Sequence, residues 1–184
     1  MSLANPVAAI DHVQGPADAT VTLVEYGDYQ CPYCGTAYHI IKAVQKHLGA
    51  KLRFVFRNFP LNQAHPFAEL AAEAAEAAGA QGKFWEMHDA LYENQDQLGQ
   101  PLIEALVKRL KLDAARFEAD LEARKFQAHV KHDFMGGVRS GVNGTPGFFI
   151  NGERFDGSWD EAPLTAALLE AAAQRNDMDV VIRP

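Results

Sequence analysis

The stretch Val21-Thr22-Leu23-Val24-Glu25-Tyr26-Gly27-Asp28-Tyr29-Gln30-Cys31-Pro32-Tyr33-Cys34 runs from a β-branched, aromatic segment straight into a Cys-x-x-Cys motif. Turn formers, Gly15-Pro16-Ala17-Asp18, precede it, and the nearly continuous apolar character of 21–26 reads as a strand buried on both faces. At the cysteines the period changes. Ala37, Ile40, Ile41, Val44 and Leu48 recur at spacings of three and four, the stripe of a helix running from Cys31 to about His47. Pro32 stands in its first turn, where a missing N–H costs nothing, and Gly49 stops it. Residues 52–59 then read as a second strand ended by Pro60. Strand, helix, strand with connections of this length opens a βαβ unit with room for a parallel crossover.

The middle of the chain is helical. Residues 66–80 carry eight alanines among Glu69, Glu73 and Glu76, a composition of strong helix propensity whose acidic residues read as a solvated face. Lys83–Asn94 is expected to be the next helix, followed by 101–110, 113–123 and 125–139, with Gly79, Gly82, Gly99, Pro101 and Asp113 as punctuation. The aromatic residues Phe84, Trp85, Phe117, Phe126 and Phe134 are most simply the core of this region. The sheet returns at 147–150, turns at Asn151-Gly152 and runs back over 153–156. Asp160 then caps a terminal helix reaching about Arg175, and 179–182 reads as a short edge strand or an ordered extension. The fold class is α/β, with residues 66–139 as a helical insertion between two parts of a sheet domain, 1–65 and 140–184.

Cys31 and Cys34 are the only cysteines among 184 residues. A chain this long buries roughly 70% of its unfolded surface and needs no disulfide staple, so the pair points to chemistry. The N-terminus of a helix presents free N–H groups and partial positive charge, which stabilise a thiolate at Cys31. A thiolate is the species that attacks a disulfide. Cys34 lies one turn further on the same face, more buried, where it can attack a mixed disulfide from inside. A Cys-x-x-Cys beside a βαβ pattern reads as a thioredoxin-like redox motif.

The formal net charge of −7 argues against nucleic-acid partners and against an anionic membrane surface. No apolar run approaches the ~18 residues of a membrane span. The N-terminal Met1-Ser2-Leu3-Ala4-Asn5-Pro6 has neither a basic nor an apolar leader segment. The expected location is cytoplasmic, with a periplasmic or secreted protein whose leader has been removed as the alternative.

Across residues 11–175 the sequence resembles the DsbA-like branch of the thioredoxin superfamily, thiol–disulfide oxidoreductases with a helical domain inserted in a thioredoxin fold. The resemblance rests on 24–34, on Gly141-Val142-Asn143-Gly144-Thr145-Pro146-Gly147-Phe148-Phe149-Ile150-Asn151-Gly152, and on Phe56-Arg57-Asn58-Phe59-Pro60-Leu61 and Phe84-Trp85-Glu86-Met87-His88. It implies that Cys31 and Cys34 are catalytic and that the Thr145–Pro146 bond is cis and lies against them. Pro32, Tyr33, Thr145 and Pro146 would then receive the substrate, and a proline there leaves its neighbour's backbone free to pair with an extended chain. Glu25, six residues before Cys31, stands where relatives place a buried acid behind the second cysteine. Burial would raise its pKa and suit it to move protons to and from Cys34; Asp28 is the competitor, read as a loop or capping residue. Where Tyr33 stands DsbA carries a thiolate-stabilising histidine, so this chain is expected to be less strongly oxidising. Pro-Tyr is the dipeptide typical of the more reducing glutaredoxins, and Gly147 replaces a threonine common in relatives.

The implied partners are protein thiols and disulfides or glutathione, together with a separate redox partner, because no third cysteine exists to recycle the pair. No cofactor and no metal are expected. Two cysteines make half a structural zinc site, His39 reads as a surface residue, and His12, His47, His65, His88, His129 and His132 show no ligand spacing. His129 and His132 read as a solvated helix face without a carboxylate partner, and His65-Pro66 as a helix opening. Two other functions fit the same fold: a glutathione-handling transferase or isomerase, which needs no second cysteine, and a non-catalytic peptide-binding or chaperone module.

Overall fold

The computed structural model describes the backbone of residues 1–182 and the side chains of residues 1–175. Among the described residues, five strands form one mixed sheet: β1 (His12–Gln14), β2 (Val21–Gly27), β3 (Leu52–Asn58), β4 (Gly147–Ile150) and β5 (Glu153–Phe155), in the order β1-β3-β2-β4-β5. β2 and β3 are parallel, joined by α1 (Pro32–Leu48), and the other pairs are antiparallel. Cys34, Ala37, Tyr38, Ile41, Val44 and Leu48 form the buried stripe of α1. Gly49 ends that helix with φ 54°, in the left-handed region that favours glycine. The turn after β4 has positive φ at both Asn151 (49°) and Gly152 (89°), the geometry that makes Asn-Gly a two-residue hairpin signal.

Five helices lie in the chain between β3 and β4: α2 (Ala68–Gly79), α3 (Phe84–Glu93), α4 (Gln100–Arg109), α5 (Ala114–Glu122) and α6 (Gln127–Arg139). With α7 (Glu161–Ile182) they complete a thioredoxin fold carrying helices between the two parts of its sheet. The core does not respect the interruption. Leu23 and Phe56 of the sheet, Cys34 and Ile41 of α1, Ala71, Ala74, Ala78, Met87, Leu91, Ile103 and Phe117 of the inserted helices, and Leu164 and Leu168 of α7 belong to one contiguous cluster. The other face of the sheet is a smaller cluster of Val24, Tyr26, Val55, Phe59, Val142 and Phe149, with Phe134 stacked on Phe59. Phe84 and Phe117 are buried, and Trp85 and Phe126 pack against the larger cluster.

Three expectations about the fold need correction, and one strand was not expected. The acidic residues of α2 are not a solvated face: Glu73 and Glu76 are buried. The cause is alanine, whose small side chain lets α2 pack against α3, α4, α5 and α6 at once, leaving no side free for solvent. Glu73 meets Arg124 at 2.6 Å, and Glu76 meets Asn58 and His12, both at 2.8 Å. The tail 179–182 is neither a strand nor a separate extension, because α7 continues to Ile182. Asp160 precedes α7 and accepts the Leu164 N–H through its carbonyl, but its carboxylate takes the Ser158 hydroxyl rather than a helix N–H. The three-residue edge strand β1 has no sequence signal, being too short for a period; it is fixed by pairing with β3 and by the Asp11–Arg57 ion pair at 2.7 Å.

Candidate active site

β2 delivers the chain to the site. Its last residue, Gly27, is followed by a loop in which Asp28 organises the backbone: its carboxylate accepts the N–H groups of Gln30 (2.7 Å) and Leu61 (2.8 Å) and contacts His65 Nδ1 at 2.8 Å. This bears out the loop reading of Asp28. It also gives His65 a second task, since His65 holds this loop as well as accepting the Ala68 N–H at the start of α2. Cys31 is the residue that opens α1, with Pro32 in its first turn and its carbonyl taking the Gly35 N–H at 3.1 Å. Cys34, one turn on, is fully buried and lies on the Asp28 N–H at 3.4 Å.

The Thr145–Pro146 peptide bond is cis, and the Thr145 carbonyl accepts from Cys31 Sγ at 3.4 Å. Pro32 and Tyr33 face solvent, Tyr33 with 66% of its surface exposed. A groove beside the Pro146 loop is lined by Val142, Gly144, Pro146, Phe155 and Trp159, among others. Cys31 keeps 4% of its surface exposed and Cys34 none, with the exposed Pro32 and Tyr33 following Cys31 in the chain and the Thr145 carbonyl in contact with its sulfur.

The two sulfurs are electrostatically unlike. Cys31 is held down to about 5, first by its hydrogen bond with Cys34, then by the Thr145 side chain and the Cys34 and Tyr33 amides, against the opposing effect of its burial. Burial pushes the Cys34 thiol well up, and the same hydrogen bond and the nearby Glu25 charge add to it. Glu25 shares the parity of Leu23 on β2 and so points toward α1; it is 2% exposed, and its Oε1 finds no partner among the described residues. Burial, then the Cys31 charge, pushes its carboxyl up to about 8. A nucleophilic sulfur, a shielded second sulfur and a buried acid that titrates near neutrality are what dithiol exchange with proton transfer requires.

Gln95 was missed by the sequence reading. Its Nε2 donates to the carbonyls of Tyr29 (2.8 Å) and Cys31 (2.9 Å), tying the segment after α3 to the cysteine loop. The one trace of it in the sequence is Gly35, where any Cβ would collide with Gln95 Oε1. Beneath the loop, Tyr29 Oη meets the buried His88 Nδ1 at 3.1 Å, and burial pushes that imidazole well down, keeping it neutral. His39 is exposed. Among the described residues no third potential metal ligand joins the cysteine pair.

Comparison with known proteins agrees with this geometry. A family model described as thioredoxin matches residues 8–170. The chain belongs to the thioredoxin family. Within that family its structure is similar to a thioredoxin-like oxidoreductase from Silicibacter pomeroyi (28% identity, TM-score 0.75, covering 89% of this chain and 92% of that one). It is similar also to oxidised BdbD from Bacillus subtilis (25% identity, TM-score 0.79, 89% and 93% covered). Wolbachia pipientis α-DsbA1 shares the fold at 16% identity and a TM-score of 0.82, covering 94% of this chain and 96% of that one. Among curated sequences, the Na(+)/H(+) antiporter NhaA 1 of Salinispora arenicola is 45% identical over 163 residues, 89% of this chain and 25% of that protein. NhaA 3 of Salinispora tropica is 44% identical over the same length and shares. The chain spans about a quarter of the length of these curated relatives.

Proposed function

We propose that this thioredoxin-family chain is a protein thiol–disulfide oxidoreductase working through Cys31 and Cys34. The observation that carries the reading is the asymmetry of the pair, with Cys31 lowered to about 5 and Cys34 buried and raised. In the reducing direction the Cys31 thiolate attacks a substrate disulfide, forming a Cys31–substrate bond and releasing one substrate thiolate. Cys34 gives its proton to the Glu25 carboxylate and attacks Cys31 Sγ; the Cys31–Cys34 disulfide forms, the second substrate thiolate leaves, and two electrons have passed to substrate. In the oxidising direction each step reverses, and protonated Glu25 supplies the proton to departing Cys34. The two sulfurs carry the electrons themselves, so the cycle needs no cofactor, only a second protein or small thiol to reset the pair.

Exposed Tyr33 and Phe67 favour a protein over glutathione as the main substrate. Thr145 and Pro146 offer backbone for an extended segment to lie on, with Pro32 and Tyr33 on the other side of Cys31. Residues 66–139 serve in this reading as an insertion into a thioredoxin-like part made of 1–65 and 140–184, bracing the cysteine loop through Gln95. Among the described residues no helix is long and apolar enough to cross a membrane, and we assign the segment shared with the antiporters thiol exchange rather than ion transport. The direction of net flow follows the poise of the compartment.

Equilibration in graded glutathione buffers, with the Cys31–Cys34 bond trapped and counted, tests the reading. One two-electron transition is expected, absent in Cys31→Ser. A potential below about −270 mV, the thioredoxin value, refutes the oxidising direction. Failure of the bond to form refutes the enzyme, and peptide binding that persists without exchange identifies a binding module instead.

A further inference from the structure

A second group of ligating side chains lies outside the cysteine site. His12 on β1, Glu76 on α2 and His129 on α6 come from distant parts of the chain, yet their ligand atoms all lie within 4.8 Å of one another. His12 Nε2 is 2.8 Å from Glu76 Oε2, and His129 Nε2 is 3.6 Å from Glu76 Oε1. A four-coordinate ion with bonds of ~2.0–2.2 Å holds its ligand atoms about 3.3–3.5 Å apart, so only small side-chain adjustments separate this arrangement from a coordination shell. The absence of ligand spacing in the sequence is no obstacle, because the fold rather than the spacing brings the three together.

The surroundings hold each ligand in place. His12 pairs with Phe56 across the sheet, and its ring stacks on Phe84 with centroids 3.3 Å apart. Glu76 projects from the buried side of α2, and Asn58 Nδ2 donates to its Oε1 at 2.8 Å. Asp133, one turn beyond His129, stands 3.7 Å from His129 Nε2 while accepting the Asn58 N–H at 3.1 Å. The histidine pair 129 and 132 thus has the carboxylate neighbour that the sequence did not reveal. Asn58 Oδ1, buried in the same place, has no partner among the described residues. Two carboxylates therefore meet in a largely buried spot, and the neighbouring guanidinium of Arg57 is committed to Asp11 at 2.7 and 3.0 Å. Buried carboxylates without a matching cation are costly.

We propose that His12, Glu76 and His129 bind one divalent cation of the zinc class, with a fourth position open to water. Two imidazoles and one carboxylate suit zinc, cobalt, nickel or copper, whereas calcium and magnesium take shells of oxygen. The side chains of His12 and His129 remain 21% and 24% exposed, which gives the ion a way in. Once bound, the ion clips the edge strand β1 and α6 to the central helix α2. Register puts it near the redox centre: His12 pairs with Phe56 and Phe56 with Glu25, two strand spacings or roughly 10 Å between backbones. The site does not depend on the thiol reaction and stands if that reading fails.

The test titrates zinc chloride into the oxidised protein, where the disulfide removes Cys31 and Cys34 as competing ligands. Calorimetry should find one ion per chain, and at a hundredfold excess over Kd the Tm should rise by about 5–10 °C. Cobalt(II) should give the intense visible absorption of a four-coordinate site. His129→Gln and His12→Asn should each weaken zinc binding at least about tenfold, while His132→Gln leaves it unchanged. His129→Gln sits on a partly exposed helix position and keeps the test decisive if His12→Asn does not fold. Absence of stoichiometric zinc binding, equal binding in wild type and His129→Gln, or preference for calcium overturns the proposal.

Discussion

Replacing Glu25 with glutamine removes the one carboxyl group on β2 while keeping its shape. The folded protein holds this carboxyl at about 8 against an ordinary 4.5, with burial as the main cause and the Cys31 charge as the second. A raised pKa means that folding favours the protonated acid. Its contribution to stability is full below pH 4.5 and is lost as pH rises toward 8. Between pH 4.5 and 7 the loss amounts to at most about 3 kcal/mol, taking ~1.4 kcal/mol per pH unit. For a chain of this size that is a Tm decrease on the order of 6–12 °C.

The measurement is thermal unfolding from pH 4.5 to 8 of wild type and Glu25→Gln, both as the disulfide. In that form neither cysteine titrates and the Cys31 charge is gone, so burial alone acts and the slope should fall somewhat below that bound. The difference between the two curves should widen steadily with pH in favour of Glu25→Gln. In the reduced protein, NMR titration of the Glu25 side-chain carbon should find a midpoint near 8. Parallel Tm curves, or a midpoint near 4.5, would show that the carboxyl is solvated and would remove it from the proton path.

Three further outcomes follow from the site. Cys34→Ala removes the first contributor to the lowered Cys31 pKa, so the pH midpoint of Cys31 alkylation should move up from about 5 toward ordinary thiol values; an unchanged midpoint would assign the thiolate to Thr145 and the helix amides instead. Gln95→Ala leaves the Tyr29 and Cys31 carbonyls without their donor. It should cost about 1–3 kcal/mol in denaturant unfolding and speed amide exchange across 29–35, and unchanged exchange there would deny Gln95 its bracing role. Asp28→Ala frees two N–H groups and the His65 ring from their acceptor. It should destabilise by about 2–4 kcal/mol, and a loss under 0.5 kcal/mol would mean that water replaces the carboxylate at little cost.

What could be read in the sequence is what local pattern encodes. The apolar run of β2, the i, i+3, i+4 stripe of α1, the Asn-Gly turn and the cysteine pair each carry their meaning within a few residues. The structure places all four as those patterns require. What could not be read depends on partners far apart in the chain. Glu76 looks like any glutamate on an alanine-rich helix. Only the meeting of β1, β3 and α6 around α2 turns it into a buried acid between two imidazoles. The same holds for Gln95, whose bonds to Tyr29 and Cys31 cross 66 and 64 positions, and for His65 with Asp28 across 37. Alanine explains why the solvated-face reading of α2 failed. High helix propensity in a peptide and close approach in a core come from the same small side chain, so composition alone cannot distinguish a surface helix from a central one. In this protein the inserted helices need that central position. Through Gln95 and the aromatic layer of Tyr29, His88 and Tyr92 they support the loop carrying the two sulfurs, and the continuous core makes a disturbance in the insertion a disturbance of the cysteine site.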